Sequence, residues 1–296
     1  MKKNISSNLT IIAGPCSVDE KNVDEVLAIA KIKAKGKRAI AGTRVVGLKS
    51  RTALSLDGKN MGIDFSIFMR NLQKSIDGLS PKDFEEPPSV AIAKSIRKKT
   101  GMIIATEIMS PLVQLPSFES ELFKNGLLAW SPAVSQLGWP AMKMALFAKR
   151  NGWSVGIKNG KWKGMEKTWE GLASYVRAHI EPQKAIMIQR GIEVPEKGNF
   201  RSLPVHESAV LMKERGFQMY FDPSHSFGPK MRDEIVLGTI AAMKIKTQSG
   251  EFVYDGVLIE AGTSVTDTEQ HITLSELQIL CDQLSDFRLL VPPTKI

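Results

Sequence analysis

The stretch "FQMYFDPSHSFGPK", residues 217–230, joins an apolar run to a turn built from Pro, Ser, His and Gly residues. The apolar run has the character of a buried strand. Gly and Asp would be enough to turn the chain. The His therefore has two interpretations, a satisfied loop residue or a group placed to meet a ligand. Other parts of the sequence are needed to distinguish these two interpretations.

The bulk composition is that of a globular protein. The chain has 296 residues, of which 43% are hydrophobic and 24% charged. This length suits two domains or one α/β barrel of about 250 residues. No apolar run approaches the roughly 18 residues of a membrane helix, and "LTIIA" near the start is too short for a secretory signal. Two cysteines, Cys16 and Cys281, form no disulfide framework, which predicts a cytoplasmic location.

The formal net charge of +9 leaves two classes of partner open, nucleic acids and small anions. The Lys and Arg residues are scattered, apart from the run Lys31–Arg38, which we expect at the end of a helix, where cations suit the helix dipole. Only three Tyr occur, and aromatic and basic residues do not interleave. The sequence therefore predicts small phosphorylated substrates, with neither nucleic acid nor membrane as a partner.

Short apolar runs recur along the chain and are continuous rather than alternating, which is typical of parallel strands covered on both faces. Amphipathic stretches such as Val23–Lys35 and Trp139–Arg150 lie between them. This rhythm predicts a single (β/α)8 TIM barrel over residues 1–296, with no separate regulatory domain. The predicted strands are Leu9–Ala13, Arg38–Val46, Met102–Ile108, Gly126–Trp130, Ser154–Lys158, Ala185–Gln189, Gln218–Asp222 and Gly256–Ala261.

The chemistry of such barrels lies at the carboxyl ends of the strands. In this chain nearly every predicted strand end carries a side chain able to bind a metal or an anion, which chance placement would not produce. In chain order these residues are Cys16, Arg44, Lys49, Arg51, Glu107, Ser131, Lys158, Arg190, His225, Glu260 and Asp267.

Four of these residues, Cys16, His225, Glu260 and Asp267, form a mixed thiolate, imidazole and carboxylate set that suits a divalent transition metal. Each has an alternative interpretation. The Cys could be a small core residue and the acids could begin helices. No short metal-binding spacing supports the site, so the prediction depends on the fold.

The basic residues Arg44, Lys49, Arg51, Lys158 and Arg190 form the second set. Arg binds phosphate and carboxylate oxygens bidentately, and Lys supplies a point charge. We expect one or two of them to pair with acids such as Glu107. Together, the metal-binding set and the basic set predict a site at the carboxyl ends of the strands that binds two anionic molecules and polarises a carbonyl group between them.

Six short motifs contain most of these residues. They are "AGPCS" (13–17), "TRVVGLKSRT" (43–52), "GIKNG" (156–160), "IQRG" (188–191), "DPSHS" (222–226) and "SVTD" (264–267). The motifs resemble those of a known family, the class I 3-deoxy-D-arabino-heptulosonate 7-phosphate (DAHP) synthases, which share their barrel and mechanism with the 3-deoxy-D-manno-octulosonate 8-phosphate synthases. The resemblance extends from about Leu9 to Leu284 with the motifs in matching order.

The resemblance implies an aldol-like condensation of phosphoenolpyruvate with erythrose 4-phosphate, the first step of the shikimate pathway to the aromatic amino acids. It implies one divalent metal ion, Mn²⁺ in the first place, with Zn²⁺, Fe²⁺ or Co²⁺ as alternatives, and a homo-oligomer, dimer or tetramer. The implied residues are Cys16, His225, Glu260 and Asp267 for the metal, Arg44, Lys49, Lys158 and Arg190 for phosphoenolpyruvate, and Arg51 and Thr52 for the sugar phosphate.

The implied catalytic residues are Lys49, Glu107, Cys16 and His225. We expect Lys49 to pass a proton to the forming alkoxide, with a pKa lowered by the neighbouring cations. Glu107 would order water or pair with a cation.

The segment after the fourth predicted strand is one of the departures from the family pattern. "AWSPAVSQ" (129–136) stands where the DAHP synthases have a Gly-Ala-Arg segment, so we expect Ser131 and the backbone after it to replace that Arg. "SPAV" is more similar to the octulosonate branch. The alternatives are therefore an octulosonate-type or related sugar-acid synthase, and a barrel that binds metal and ligand without this activity.

Overall fold

A closed ring of parallel strands forms the centre of the molecule, because β1 (Asn8–Gly14) pairs both with β4 (Gly42–Arg44) and with β10 (Gly256–Glu260). The computed structural model describes residues 7–49, 61–132 and 138–293. The predicted (β/α)8 barrel is confirmed. The other barrel strands are β5 (Ile103–Glu107), β6 (Leu127–Ser131), β7 (Ser154–Lys158), β8 (Ala185–Gln189) and β9 (Gln218–Phe221).

Helices follow the strands and cover the outside of the ring. They are α1 (Val23–Ile29), α2 (Phe65–Ile76), α3 (Pro88–Thr100), α4 (Pro111–Gln114), α5 (Gly138–Asn151), α6 (Glu166–Arg177), α7 (His206–Glu214), α8 (Pro223–Phe227), α9 (Ile235–Met243) and α10 (Leu274–Ser285). α3 shows how the sequence sets their limits, since a Pro opens it and Gly101, at φ 70°, ends it. Within the described ranges, no helix combines the length and the apolar character needed to cross a membrane.

Successive residues of each strand face opposite sides of the ring. Ile12, Leu128, Ile188 and Leu258 pack together in one cluster that fills the barrel interior. Their neighbours, such as Ile11, belong to the larger cluster between the strands and the helices. The barrel is therefore a packed core, and space for chemistry remains only beyond the last interior layer.

The region from Val23 to Val46 differs from the prediction. The basic run Lys31–Arg38 does not end a helix. α1 stops at Ile29, and the run forms a hairpin of β2 (Lys33–Ala34) and β3 (Lys37–Arg38). Lys35 and Gly36 turn the hairpin with φ of 48° and 77°. The predicted strand Arg38–Val46 is accordingly shortened to β4.

Two further segments lie outside the central ring. The connection after β4 contains α2, and part of it (residues 50–60) lies outside the described residues. Near the end of the chain, β11 (Leu289–Leu290) pairs with the first residues of β1. This pairing is at the end of β1 opposite to the strand ends that carry the predicted site residues.

Candidate active site

The strand alternation explains why charged side chains converge at one end of the barrel. Counting on by two from interior residues such as Ala105, Ile188 and Leu258 leads to charged residues just past the last apolar layer. Glu107, Arg190, Asp222 and Glu260 are placed in this way, and Arg44 and Lys158 are the last residues of β4 and β7. All six are buried. The candidate site is therefore the next layer of the barrel interior, with charged groups in place of apolar ones.

The opening stretch of the sequence folds into a short helix after β9. Asp222 caps it by accepting a hydrogen bond from the backbone N–H of His225, and Pro223 fills the first helical position. Ser224 Oγ accepts a bond of 2.9 Å from the Glu260 N–H on β10. His225 is thus held one turn after the strand, where its Nδ1 lies 3.0 Å from an Asp222 carboxylate oxygen.

The ends of β7 and β8 are joined by side-chain hydrogen bonds. Asn159 Nδ2 donates to the Gly191 carbonyl at 2.9 Å, and its Oδ1 accepts from the Arg190 N–H at 2.6 Å. Gly191 has φ 83°, and a Cβ there would lie 2.3 Å from the Ser202 carbonyl oxygen. These contacts between the "KNG" and "QRG" segments therefore fix the backbone positions of Lys158 and Arg190 relative to each other.

The loops after β1 and β10 are also tied together. Ser17 Oγ lies 2.7 Å from Thr266 Oγ1 and 3.0 Å from Ser264 Oγ. Asp267 has a left-handed backbone, with φ 49°. These contacts bring Cys16 Sγ to 3.6 Å from Asp267 Oδ2, although the two residues are far apart in the sequence.

Among the described residues, three ion pairs join a Lys or Arg of the site to a carboxylate. Arg44 Nη2 lies 2.8 Å from Glu260 Oε1, and Lys158 Nζ lies 2.8 Å from Asp222 Oδ2. Lys49 Nζ and Glu107 Oε2 are 3.6 Å apart. The sequence predicted that one or two cations would pair with acids, and three do. Carboxylates thus match Arg44, Lys49 and Lys158, whereas Arg190 has no ion pair among the described residues.

Trp130 provides the apolar face below two of the cations. The Arg44 guanidinium and the Lys158 ammonium each lie 5.5 Å from the centre of its ring. Such contacts stabilise a desolvated cation by about 2 kcal/mol. The indole of Trp130 is completely buried.

The ion pairs control the protonation states. Burial alone raises the pKa of Asp222 and of Glu260, but the neighbouring cations, with His225, outweigh burial, so both carboxyl pKa values lie well below the usual range. Burial lowers the pKa of His225 to about 4, even with Asp222 beside it. At neutral pH the site therefore combines ionised carboxylates with a neutral His225.

The expected lowering of the Lys49 pKa is wrong. Burial does lower it, but Glu107 and the nearby Cys16 raise it by more, and the Lys49 pKa lies above its ordinary value. The carboxylate is closer than the cations on which the expectation was based. Lys49 is therefore a protonated ammonium group.

Two guanidinium groups keep unused donors. Among the described residues, Arg44 Nη1 and Arg190 Nε are buried without a hydrogen-bond acceptor. Burial lowers the pKa of Arg190, which shows that its charge is poorly compensated. Buried donors of this kind cost about 1–3 kcal/mol when unpaired. They are suited to an anion that enters from outside.

Cys16 and Glu260 form the centre of a possible metal site, and the third member is His271. Within the described ranges, these three residues form the one group of Cys, His and acidic side chains whose ligand atoms all lie within 4.8 Å of one another. Burial and Glu260 raise the pKa of the Cys16 thiol to about 11. His225 is not part of this group.

Sequence reasoning missed three site residues, Asp222, Gln270 and His271. Asp222 follows the interior position Tyr220 by two residues, and that spacing could have identified it. Gln270 donates from Nε2 to Glu260 Oε2. His271 follows no strand, so no positional signal marked it.

The remaining predicted residues lie at or beyond the edge of this cluster. Arg51 and Thr52 fall outside the described residues, as does the segment 133–137. Ser131 is buried and, by alternation, falls on the opposite face of β6 from Trp130. The structure therefore does not bring the Ser131 side chain to the charged layer.

Comparisons with known proteins bear on the fold. No protein-family model matches this chain, and neither does any curated protein sequence. A DAHP synthase structure from Thermotoga maritima does match, with a TM-score of 0.68 and 17% identity, over 95% of this chain and 69% of that one. The chain has the fold of that synthase.

A truncated form of the Thermotoga maritima enzyme gives a TM-score of 0.63 at 17% identity, covering 95% of this chain and 86% of that one. The structural match confirms, at the level of the fold, the resemblance that the motifs indicated. Because the identity is so low, the activity is a separate question.

Proposed function

We propose that the chain is a DAHP synthase-type enzyme that condenses phosphoenolpyruvate with erythrose 4-phosphate. The observation that carries the proposal is the pair of buried donors, Arg44 Nη1 and Arg190 Nε, which have no acceptor among the described residues. A carboxylate or phosphate oxygen would satisfy them. Phosphoenolpyruvate carries both groups on a small molecule.

The neighbouring residues suit the chemistry of this substrate. Lys158 and Lys49 add positive charge beside the two guanidinium groups, and each is already held in place by a buried carboxylate. These side chains are therefore oriented before the substrate binds, which reduces the entropic cost of binding. Arg51 and Thr52, which the resemblance assigns to the sugar phosphate, remain part of the proposal.

The proposed reaction forms one carbon–carbon bond. C3 of phosphoenolpyruvate attacks the aldehyde carbon, water adds at C2, and inorganic phosphate leaves with cleavage of the C2–O bond. Lys49 protonates the developing alkoxide, a role that its ammonium form allows. Glu107, 3.6 Å away, holds that ammonium group in position.

A divalent transition metal fits the donors around Cys16. The thiol and the Glu260 carboxylate belong to one buried group of ligand atoms, and Asp267 Oδ2 lies 3.6 Å from the sulfur. A thiolate, carboxylates and an imidazole are ligands for Mn²⁺, Fe²⁺, Co²⁺ or Zn²⁺, and Mn²⁺ stays our first candidate. When bound, the ion would act as a Lewis acid toward the aldehyde carbonyl.

Phosphate release tests the proposal. The protein is given phosphoenolpyruvate with a panel of aldose phosphates, with and without a chelator. Phosphate should appear only when an aldose phosphate is present, fastest with erythrose 4-phosphate, and less of it after chelation. Faster turnover with arabinose 5-phosphate would assign the protein to the octulosonate branch, which the "SPAV" segment keeps as the second candidate.

We also propose a cytoplasmic location for the protein. The two cysteines are free and buried, as suits a cytoplasmic protein. The predicted homo-oligomer remains a prediction, which a sedimentation measurement on the full chain would check.

A further inference from the structure

His271 has the arrangement of a metal ligand. Its Nδ1 lies 2.8 Å from the Gly262 carbonyl oxygen, so Nδ1 carries the proton and donates it. The other ring nitrogen, Nε2, then holds a lone pair. Metal-binding histidines are typically fixed by such a bond from the opposite nitrogen.

The free nitrogen is buried and, among the described residues, has no hydrogen-bond partner. The His271 side chain is 2% exposed, and in the described part of the chain Nε2 makes no hydrogen bond. An unpaired buried acceptor of this kind is costly. A bound cation would compensate for it directly.

Nε2 points toward the thiol and carboxylate that the proposed metal requires. It lies 3.8 Å from Glu260 Oε2, too far for a hydrogen bond, and His271 belongs to the group of ligand atoms within 4.8 Å of one another that includes Cys16 Sγ. Ligands placed about 2.0–2.3 Å from one tetrahedral ion are roughly 3.3–3.8 Å apart. The 3.8 Å between Nε2 and Glu260 Oε2 lies at the upper end of this range.

Hydrogen bonds to both oxygens fix the orientation of the Glu260 carboxylate. Arg44 occupies Oε1 and Gln270 donates to Oε2, while Arg201 in turn donates to Gln270. Gln270 and His271 are consecutive, so one short segment positions the carboxylate and supplies the imidazole. Such outer contacts are typical of metal-binding carboxylates.

We propose that Nε2 of His271 is a ligand of a divalent transition metal bound by Cys16 and Glu260. This inference rests on the metal site of the proposed function and adds a ligand that the motif resemblance does not supply. His225 is engaged differently, because its Nδ1 bonds Asp222 and its donor atoms lie outside the group.

Cobalt binding to the full-length protein tests the proposal without reference to activity. Co²⁺ is titrated into metal-free protein, and the thiolate charge-transfer and ligand-field bands report affinity and coordination. Wild type should bind one equivalent. His271→Gly should bind about 10- to 100-fold more weakly, with altered ligand-field bands. Added imidazole should restore the spectrum, which a purely structural role for His271 would not allow.

His206→Gly is the matched control. His206 is half-buried and, like His271, has a hydrogen bond at Nδ1, to the Tyr254 hydroxyl at 2.8 Å, but it begins α7, outside the metal group. Its substitution should leave the cobalt spectrum unchanged. His271→Gln, which keeps more of the side-chain volume, should also lose affinity if folding of the glycine variant is in doubt.

The outcomes separate this inference from the proposed function. Unchanged cobalt affinity and spectrum in folded His271→Gly, with loss in His225→Gly, would overturn the inference and leave the metal enzyme intact. No cobalt binding by wild type would overturn both the inference and the metal site. Cobalt binding through His271 in a protein that consumes no phosphoenolpyruvate would support the inference and contradict the function.

Discussion

Arg44 Nη2 lies 2.8 Å from Glu260 Oε1, and neither side chain has any exposed surface. The two residues end β4 and β10, which are not neighbours, because β1 lies between them in the ring. The ion pair therefore bridges β4 and β10 across the intervening strand β1, at the end of the barrel that carries the site residues. It connects the proposed anion site, through the unused Nη1 of Arg44, with the proposed metal site at Glu260.

Breaking this pair should destabilise the metal-free protein. Arg44→Met leaves a buried carboxylate without its cation, which costs about 3–5 kcal/mol, whereas Arg44→Met with Glu260→Met should recover much of the loss. Urea unfolding of the two single variants and the double variant measures the coupling. Lys124→Met, which breaks an exposed pair with Glu121, should cost about 0–1 kcal/mol. Additive effects of the two core substitutions would contradict the pairing.

Arg190→Met should separate binding from stability. The guanidinium is buried with an unused Nε, so its removal should not lower the unfolding free energy, while phosphoenolpyruvate should bind about 10- to 100-fold more weakly. Calorimetric titration of phosphoenolpyruvate into wild type and variant measures the affinity. Arg215→Met, at a surface pair with Glu170, is the control. Unchanged affinity in Arg190→Met would remove this residue from the anion site.

Glu107→Gln should change the pH dependence of turnover. The carboxylate raises the pKa of Lys49, so its loss lets burial and the neighbouring cations lower that pKa. Lys49 acts in its protonated form, and the fall of kcat at high pH should therefore move to lower pH. The measurement is a pH profile of kcat for wild type and variant. A shift to higher pH, or none, would exclude Lys49 as the acid.

Acid should weaken the fold before the carboxylates titrate. The His225 pKa is about 4 when folded and near 6.5 when unfolded, so the unfolded chain takes up a proton first. The stability that a neutral, buried His225 contributes is complete above pH of about 6.5 and is lost as the pH falls toward 4, by about 3 kcal/mol in all. Urea midpoints should fall across this range, less steeply in His225→Asn. Equal slopes for the two proteins would contradict the lowered pKa.

The barrel could be predicted because its signals are local. Ser154–Lys158 and Ala185–Gln189 were predicted with the bounds that the structure has, since each is a short apolar run ended by a polar residue. The run Lys31–Arg38 was predicted wrongly. Its charges favour a helix end, but the turn at Lys35 and Gly36 needs positive φ, a requirement that charge patterning does not reveal.

The site was predictable only where it follows the strands. Arg44, Glu107, Lys158 and Glu260 each end a strand, so the fold alone brings them together. Their pairing, and with it the raised pKa of Lys49, depends on distances across the barrel that a sequence does not contain. His271 reaches the thiol through the loop after β10, and no motif marks a residue placed in that way.

The proposed condensation of phosphoenolpyruvate with an aldose phosphate determines where the bridging oxygen of phosphoenolpyruvate goes. The most direct measurement uses phosphoenolpyruvate labelled with oxygen-18 at the bridging position, together with erythrose 4-phosphate, and follows the label by mass spectrometry. We predict one labelled phosphate for each unlabelled seven-carbon sugar acid phosphate, and no phosphate without the aldehyde. Label retained in pyruvate, or phosphate release that does not need the aldehyde, would contradict the proposed condensation.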